Sequence, residues 1–101
     1  MLVEMVRAYR SRDDIIVDIF KATSGGAKKT HIMQRANLNP VMFKKYFPVL
    51  LRNGWIVKED DPNGGSLYRL SAEGKALLKM YRALRARFRN SVEGNSIHAL
   101  S

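Results

Sequence analysis

The stretch KKTHIMQRANLNPVMFKKYFPVLLRNGWIVKEDDPNGGSLYRLS, residues 28–71, decides the fold. Asn39 is placed to cap a helix beginning at Pro40, since proline lacks only an N–H that the first turn leaves unpaired anyway. Gly54 stops that helix, because a residue without Cβ accepts the left-handed conformation that helix ends commonly need. Trp55, Ile56 and Val57 read as a strand and Asp61 to Gly65 as a loop. Leu67, Tyr68 and Leu70 then read as the returning strand. The order is helix, tight turn, helix, hairpin, a layout that holds one helix out from a compact body where it can enter a DNA groove.

Working outward, the segment before this stretch supplies a further helix. Ser11 with Asp14 three positions on forms a capping box that opens a helix from about Arg12 to Thr23, and Ile15, Ile16, Ile19 and Phe20 give it one broad apolar face. Ser24-Gly25-Gly26 ends it. The second helix is expected from about Lys28 to Arg35, with Ile32 and Ala36 inward, and Ala36-Asn37-Leu38-Asn39 as the turn. In the third helix, 3.6 residues per turn puts Phe43, Tyr46, Phe47, Leu50 and Leu51 on one side. Val41, Lys45, Pro48 and Arg52 fall on the other. Pro48 removes the hydrogen bond to the Lys44 carbonyl, at a cost of about 3 kcal/mol in an ordinary helix interior. Two outcomes stay open: the helix kinks, or its regular part ends at Phe47 and a second turn starts at Pro48.

Ser71 is an N-cap with Glu73 in the first turn, opening a last helix expected to reach about Ser91, before Gly94. Leu77, Met80, Tyr81, Leu84 and Phe88 recur on one side at spacings of three and four, the pattern of a helix–helix seam. Residues 75–89 carry six basic side chains and no acidic one, with Lys75, Lys79, Arg82 and Arg89 on the far side and Arg85 and Arg87 at the flanks. A seam of this length outruns the core of so small a domain, and its distal half needs another protein surface. At the other terminus Leu2, Met5, Val6 and Tyr9 share one helical face, an arm with no evident partner. The reading divides the chain into an N-terminal arm over 1–10, a helical-and-hairpin domain over 11–70, a dimerisation helix over 71–92 and a flexible tail over 93–101. The class is α+β, mostly α.

Composition agrees with a polyanion partner. Lys and Arg number 18 against 9 Asp and Glu in 101 residues, a formal charge of +9, and the pI is near 10.3, within the range of nucleic-acid binders. The absence of cysteine removes a disulfide framework and thiolate metal sites. No apolar run approaches a membrane span, and Glu4 and Arg7 interrupt the N-terminal apolar stretch, so a cytoplasmic location is expected. His31 and His98 stand apart without a carboxylate pattern, and Ser24-Gly25-Gly26 lacks the length of a phosphate loop. The reading is of a protein that is not an enzyme and needs no cofactor or metal.

Ser11-Arg12, Gly25-Gly26-Ala27-Lys28-Lys29-Thr30, Arg35-Ala36-Asn37-Leu38, Phe43-Lys44-Lys45-Tyr46, Leu51-Arg52-Asn53-Gly54 and Tyr68-Arg69-Leu70-Ser71-Ala72-Glu73-Gly74 carry a resemblance. Over about three quarters of its length the chain resembles the archaeal winged helix-turn-helix DNA-binding family, whose small chromatin-type members dimerise through a long C-terminal helix in an antiparallel coiled coil. The resemblance implies a homodimer on double-stranded DNA, nucleoid-associated, with the third helix at the major groove. Two features depart from it: Pro48, and a wing tip reading Glu59-Asp60-Asp61 where basic residues are common.

On geometry, Lys28, Lys29 and Thr30 at the start of the second helix suit a phosphate. Lys44, Lys45 and Arg52 line or flank the exposed side of the third helix, and Asn39, Val41 and Met42 lie at its N-terminal end, the part that reaches base edges in related motifs. Arg35 and Arg69 are secondary phosphate candidates. Leu77, Met80, Tyr81, Leu84 and Phe88 are the dimerisation candidates. The leading expectation is a transcription regulator or chromatin-associated protein. The runner-up is a winged-helix module that binds protein within a larger complex, favoured by the acidic wing tip, and binding of single strands or RNA ranks third.

Overall fold

The structure, a computed structural model, describes the backbone over residues 10–100 and side chains over residues 10–91. The apolar face expected from Leu2, Met5, Val6 and Tyr9 lies outside the described residues. Among the described residues four helices and one hairpin follow in the order α1 (Arg12–Thr23), α2 (Lys29–Arg35), α3 (Pro40–Arg52), β1 (Ile56–Asp60), β2 (Ser66–Leu70) and α4 (Ala72–Leu100).

Each boundary has a local cause. At the start of α1 the Ser11 hydroxyl accepts from the Asp14 N–H at 3.1 Å while the Asp14 carboxylate accepts from the Ser11 N–H at 3.2 Å. Hydrogen bonding to Ser11, by its side chain and then its backbone, holds the Asp14 carboxyl below its ordinary value; burial opposes this, and the charges of Arg85 and Arg10 add to it. Asn37, at φ 53°, makes the turn between α2 and α3, a conformation asparagine tolerates better than most residues. Asn39 caps α3 by accepting from the Met42 N–H at 2.8 Å. Gly54 follows α3 at φ 72°. The Ser71 hydroxyl accepts from the Gly74 N–H at 3.1 Å and donates to the Gly54 carbonyl at 2.6 Å, tying the start of α4 to the end of α3.

α3 is one helix through Pro48, so the reading that splits it there is corrected. Pro48 and Lys44 are both exposed, which leaves the carbonyl that loses its partner on the solvent side, where hydration offsets the loss. A second correction concerns α4, which passes the expected end near Ser91 and continues as helix to Leu100, across most of the predicted tail. An interior glycine weakens a helix by about 1 kcal/mol relative to alanine without ending it. α2 begins at Lys29 rather than Lys28, which sits at the cap position. β1 extends to Asp60, and Trp55 precedes it.

β1 and β2 pair antiparallel, with Ile56 opposite Leu70 and Lys58 opposite Tyr68. Ala27 exchanges backbone hydrogen bonds with Tyr68 at 2.9 and 2.8 Å, so the segment before α2 lies along β2. The core lies between the hairpin and the inner faces of all four helices. Ile19, Ile32, Leu50, Ile56 and Leu70 are fully buried, each contributing about 1.5–3 kcal/mol by leaving water. Phe43 stacks on Phe47 at 4.4 Å between centroids, and Phe47 meets Tyr68 edge-on at 5.0 Å. The aromatic side chains of α3 thus face inward, and the opposite side of that helix is left to solvent.

Candidate nucleic-acid interface

The outward side of α3 carries Val41, Lys44, Lys45, Pro48 and Arg52, all exposed, with Val41 at 75%. The helix buries Phe43, Phe47 and Leu50 on its other side, so its axis cannot rotate these cations inward without exposing that face. Lys45 leans over the Tyr46 ring at 5.4 Å. Among the described residues, Lys44, Lys45 and Arg52 form no ion pair, and their positive charge stands open to solvent. Asn39 is exposed, and its carbonyl oxygen is taken by the cap while its amide remains a donor. Met42 is placed differently from its neighbours: half-buried, it packs on the core and lines a hollow with Ile15 and Tyr46.

α2 presents Lys29 and Thr30, both exposed. At seven residues it has a weak dipole, and no acidic side chain stands in its first turn. Lys29 lies over the Tyr68 ring at 5.7 Å. Lys28 turns instead to the wing, where its ammonium lies 3.6 Å from the Asp61 carboxylate and donates to the Gly64 carbonyl at 3.3 Å. Arg69 pairs with Glu59 at 3.2 Å and donates to the Gly25 carbonyl at 3.1 Å. Arg35 donates to the Ala22 carbonyl at 3.4 Å. The acidic wing is therefore a partner for the protein's own cations: Glu59 and Asp61 neutralise Arg69 and Lys28, whereas the cations of α3 and Lys29 in the first turn of α2 stay outside these pairs.

One functional support was not legible. Arg10 donates to the Asp18 carboxylate at 2.9 Å and to the carbonyls of Ala36 and Asn37 at 2.6 Å each, clamping the turn between α2 and α3 to α1. The clamp fixes how α3 leaves the body. Its only sequence signal is an arginine next to a capping box, and its partners lie up to 27 positions away.

The predicted seam of α4 divides. Leu77 and Tyr81 are half-buried against the core, Leu78 is buried, and Met80, Leu84 and Phe88 stand 67%, 54% and 63% exposed. Beside the stripe an open groove of about 480 Å3 runs between α1 and α4, walled by Ile16, Phe20, Trp55, Leu77, Met80 and Leu84. Among the described residues no helix is long and apolar enough to cross a membrane, and no group of three or more His, Cys, Asp or Glu could hold a metal.

A family model described as winged helix-turn-helix matches residues 9–88. The chain belongs to that family. In winged helix-turn-helix terms, α2 and α3 are the helix-turn-helix, the β1–β2 hairpin is the wing, and α4 is a long C-terminal extension. The crystal structure of Sso10a-2, described as a DNA-binding protein from Sulfolobus solfataricus, is similar in fold, with a TM-score of 0.65 and 21% sequence identity over 86% of this chain and 94% of that chain. No curated protein matches the sequence. The fold expectation, α+β and mostly α with a winged helix-turn-helix and a long last helix, is met.

Proposed function

We propose that this winged helix-turn-helix protein is a homodimeric, double-stranded DNA-binding protein of the cytoplasm, nucleoid-associated, acting as a transcription regulator or in chromatin, and not an enzyme. The observation that carries the reading is the outward side of α3, where Lys44, Lys45 and Arg52 stand exposed and outside any ion pair among the described residues. α3 enters the major groove with Asn39 and Val41 leading, Met42 supports that end from the core side, and Lys29 and Thr30 hold a phosphate at the flank. Asn39 is the one hydrogen-bonding reader at that end, so shape and charge dominate over base readout. Lys28 and Arg69 join the interface by exchanging their wing carboxylates for phosphate. The similarity of fold to a DNA-binding protein of Sulfolobus solfataricus supports the same reading.

The homodimer uses the exposed stripe of α4, with Leu77, Met80, Tyr81, Leu84 and Phe88 as its seam. The alternative, a module that binds protein through the acidic wing, loses force because Glu59 and Asp61 are already paired within the chain.

Exchange of Lys45 and Arg52 for alanine tests the reading. The pair of substitutions is expected to lower duplex affinity about tenfold or more and to reduce the salt dependence by about two phosphates. Thermal unfolding stays in place, since both side chains are exposed. Unchanged affinity in a fluorescence titration moves the interface off α3.

A further inference from the structure

α1 lies across α4, and the two flanks of that contact differ in chemistry. On one side is the apolar groove. On the other a cleft of about 220 Å3 is lined by Lys21 of α1 and by Arg82, Arg85 and Arg89 of α4, over a floor that includes Val17 and Tyr81. Val17 and Tyr81 border both hollows, which places them on opposite flanks of one helix crossing. Arg85 is committed in part, 3.6 Å from Asp14 and over the Tyr81 ring at 5.8 Å. Lys21, Arg82 and Arg89 form no ion pair among the described residues.

We infer that this cleft is a second phosphate-backbone site for duplex DNA, separate from the outward side of α3. The inference rests on the DNA-binding reading above and adds a site to it. Ile15 turns toward α3, beside Met42 and Tyr46, and Lys21 lies roughly 120° further around α1 at 3.6 residues per turn. The cleft thus looks away from the helix-turn-helix. Arg82 and Arg89 span roughly 10 Å of helix axis, against about 3.4 Å of rise per phosphate along a strand, so the row covers more than one phosphate. Guanidinium forks suit phosphate oxygens in paired hydrogen bonds. Lys75 and Lys79 extend the row toward the start of α4, and no carboxylate interrupts it between residues 75 and 89. A solubilising surface interleaves charges of both signs. Here Arg85 and Arg89 stand one turn apart, a like-charge spacing that disfavours a helix unless an anion neutralises it. The exposed part of the stripe, Met80, Leu84 and Phe88, lies roughly 100° or more around α4 from Arg82 and Arg89, and Tyr81 is half-buried in the protomer's own helix crossing, so a dimer through the exposed stripe leaves the row open.

The experiment titrates a short labelled duplex, at low salt, against the full chain and three variants: Lys45→Gln with Arg52→Gln, Arg82→Gln with Arg89→Gln, and all four together. Wild type is expected to bind two duplexes per protomer at saturation and the Arg82/Arg89 variant one. The Lys45/Arg52 variant keeps a weaker, salt-dependent binding that the fourfold variant loses. Lys21→Gln, on the other wall of the cleft, reproduces the Arg82/Arg89 loss in weaker form and guards against disturbance of α4. Inorganic triphosphate at equal phosphate concentration leaves the duplex bound. One duplex per protomer in wild type, complete loss in the Lys45/Arg52 variant, or displacement by triphosphate overturns the second site while the first stands. Absence of any duplex binding by wild type overturns both.

Discussion

Replacing Leu84 and Phe88 together by glutamate is expected to halve the mass in solution, from twice 11.5 kDa to the 11.5 kDa of one chain. Both side chains project from α4 into solvent in a single protomer, at 54% and 63% exposure, with Met80 beside them at 67%. A stripe of that kind at spacings of three and four seats a second helix, and each such side chain fully buried there contributes about 1.5–3 kcal/mol. The double substitution removes two of these per chain and places four carboxylates in the seam, where an unpaired buried charge costs several kcal/mol more. Every 1.4 kcal/mol is tenfold in dissociation constant, so the shift spans several orders of magnitude. The protomer's own fold is spared, because the glutamates sit where the single chain already meets water. Static light scattering with far-UV circular dichroism reads both quantities. A wild-type chain at 11.5 kDa at high concentration, or a variant still at twice that, contradicts the dimer.

Gly74→Ala is expected to lower thermal stability by about 1–3 kcal/mol, even though alanine is the better helix former by about 1 kcal/mol. The site lies in the first turn of α4, where that helix crosses the end of the hairpin. A Cβ built there falls into the Trp55 carbonyl oxygen and within 2.5 Å of a Leu70 methyl. Neither neighbour gives way cheaply, since the Trp55 carbonyl accepts the Ser71 N–H at 2.9 Å and Leu70 is fully buried. Steric cost therefore exceeds propensity gain. For a domain of this size each kcal/mol moves the midpoint by about 4–8 °C. Gly25→Ala is the matched control, because a Cβ there meets no atom within 4 Å. Equal melting temperatures for the two variants would show that α4 does not press on the hairpin as described.

How far the fold was legible depends on how far apart in the chain its causes lie. Ser11 with Asp14, Asn39 with Pro40, Gly54 and Ser71 act over one to four residues, and each set an element boundary that the structure keeps. The two sides of α3 followed from helical period alone, down to the exposure of Val41, Lys45, Pro48 and Arg52. Val17 and Leu78 escaped notice as core residues because they are buried where α1 and α4 cross, and a crossing is not written in either helix's own pattern. The same holds for the wing. In sequence Glu59 and Asp61 are only an acidic departure at the wing tip, and their partners Arg69 and Lys28 are supplied by the folded hairpin, the latter pair separated by 33 positions. Gly94 does not stop α4, because a single glycine lacks the energy to end a helix on its own. Pro48 shows the same limit in reverse: whether a proline breaks a helix is decided by what lies around the carbonyl it frees.

Contact between the cationic side of α3 and the phosphate backbone of duplex DNA is read from the affinity of the wild-type chain for a duplex across a series of salt concentrations. A plot of log K against log salt is expected to fall as a straight line, at about 0.9 per phosphate neutralised and with several phosphates engaged. A flat line, or no binding at the lowest salt, would contradict it.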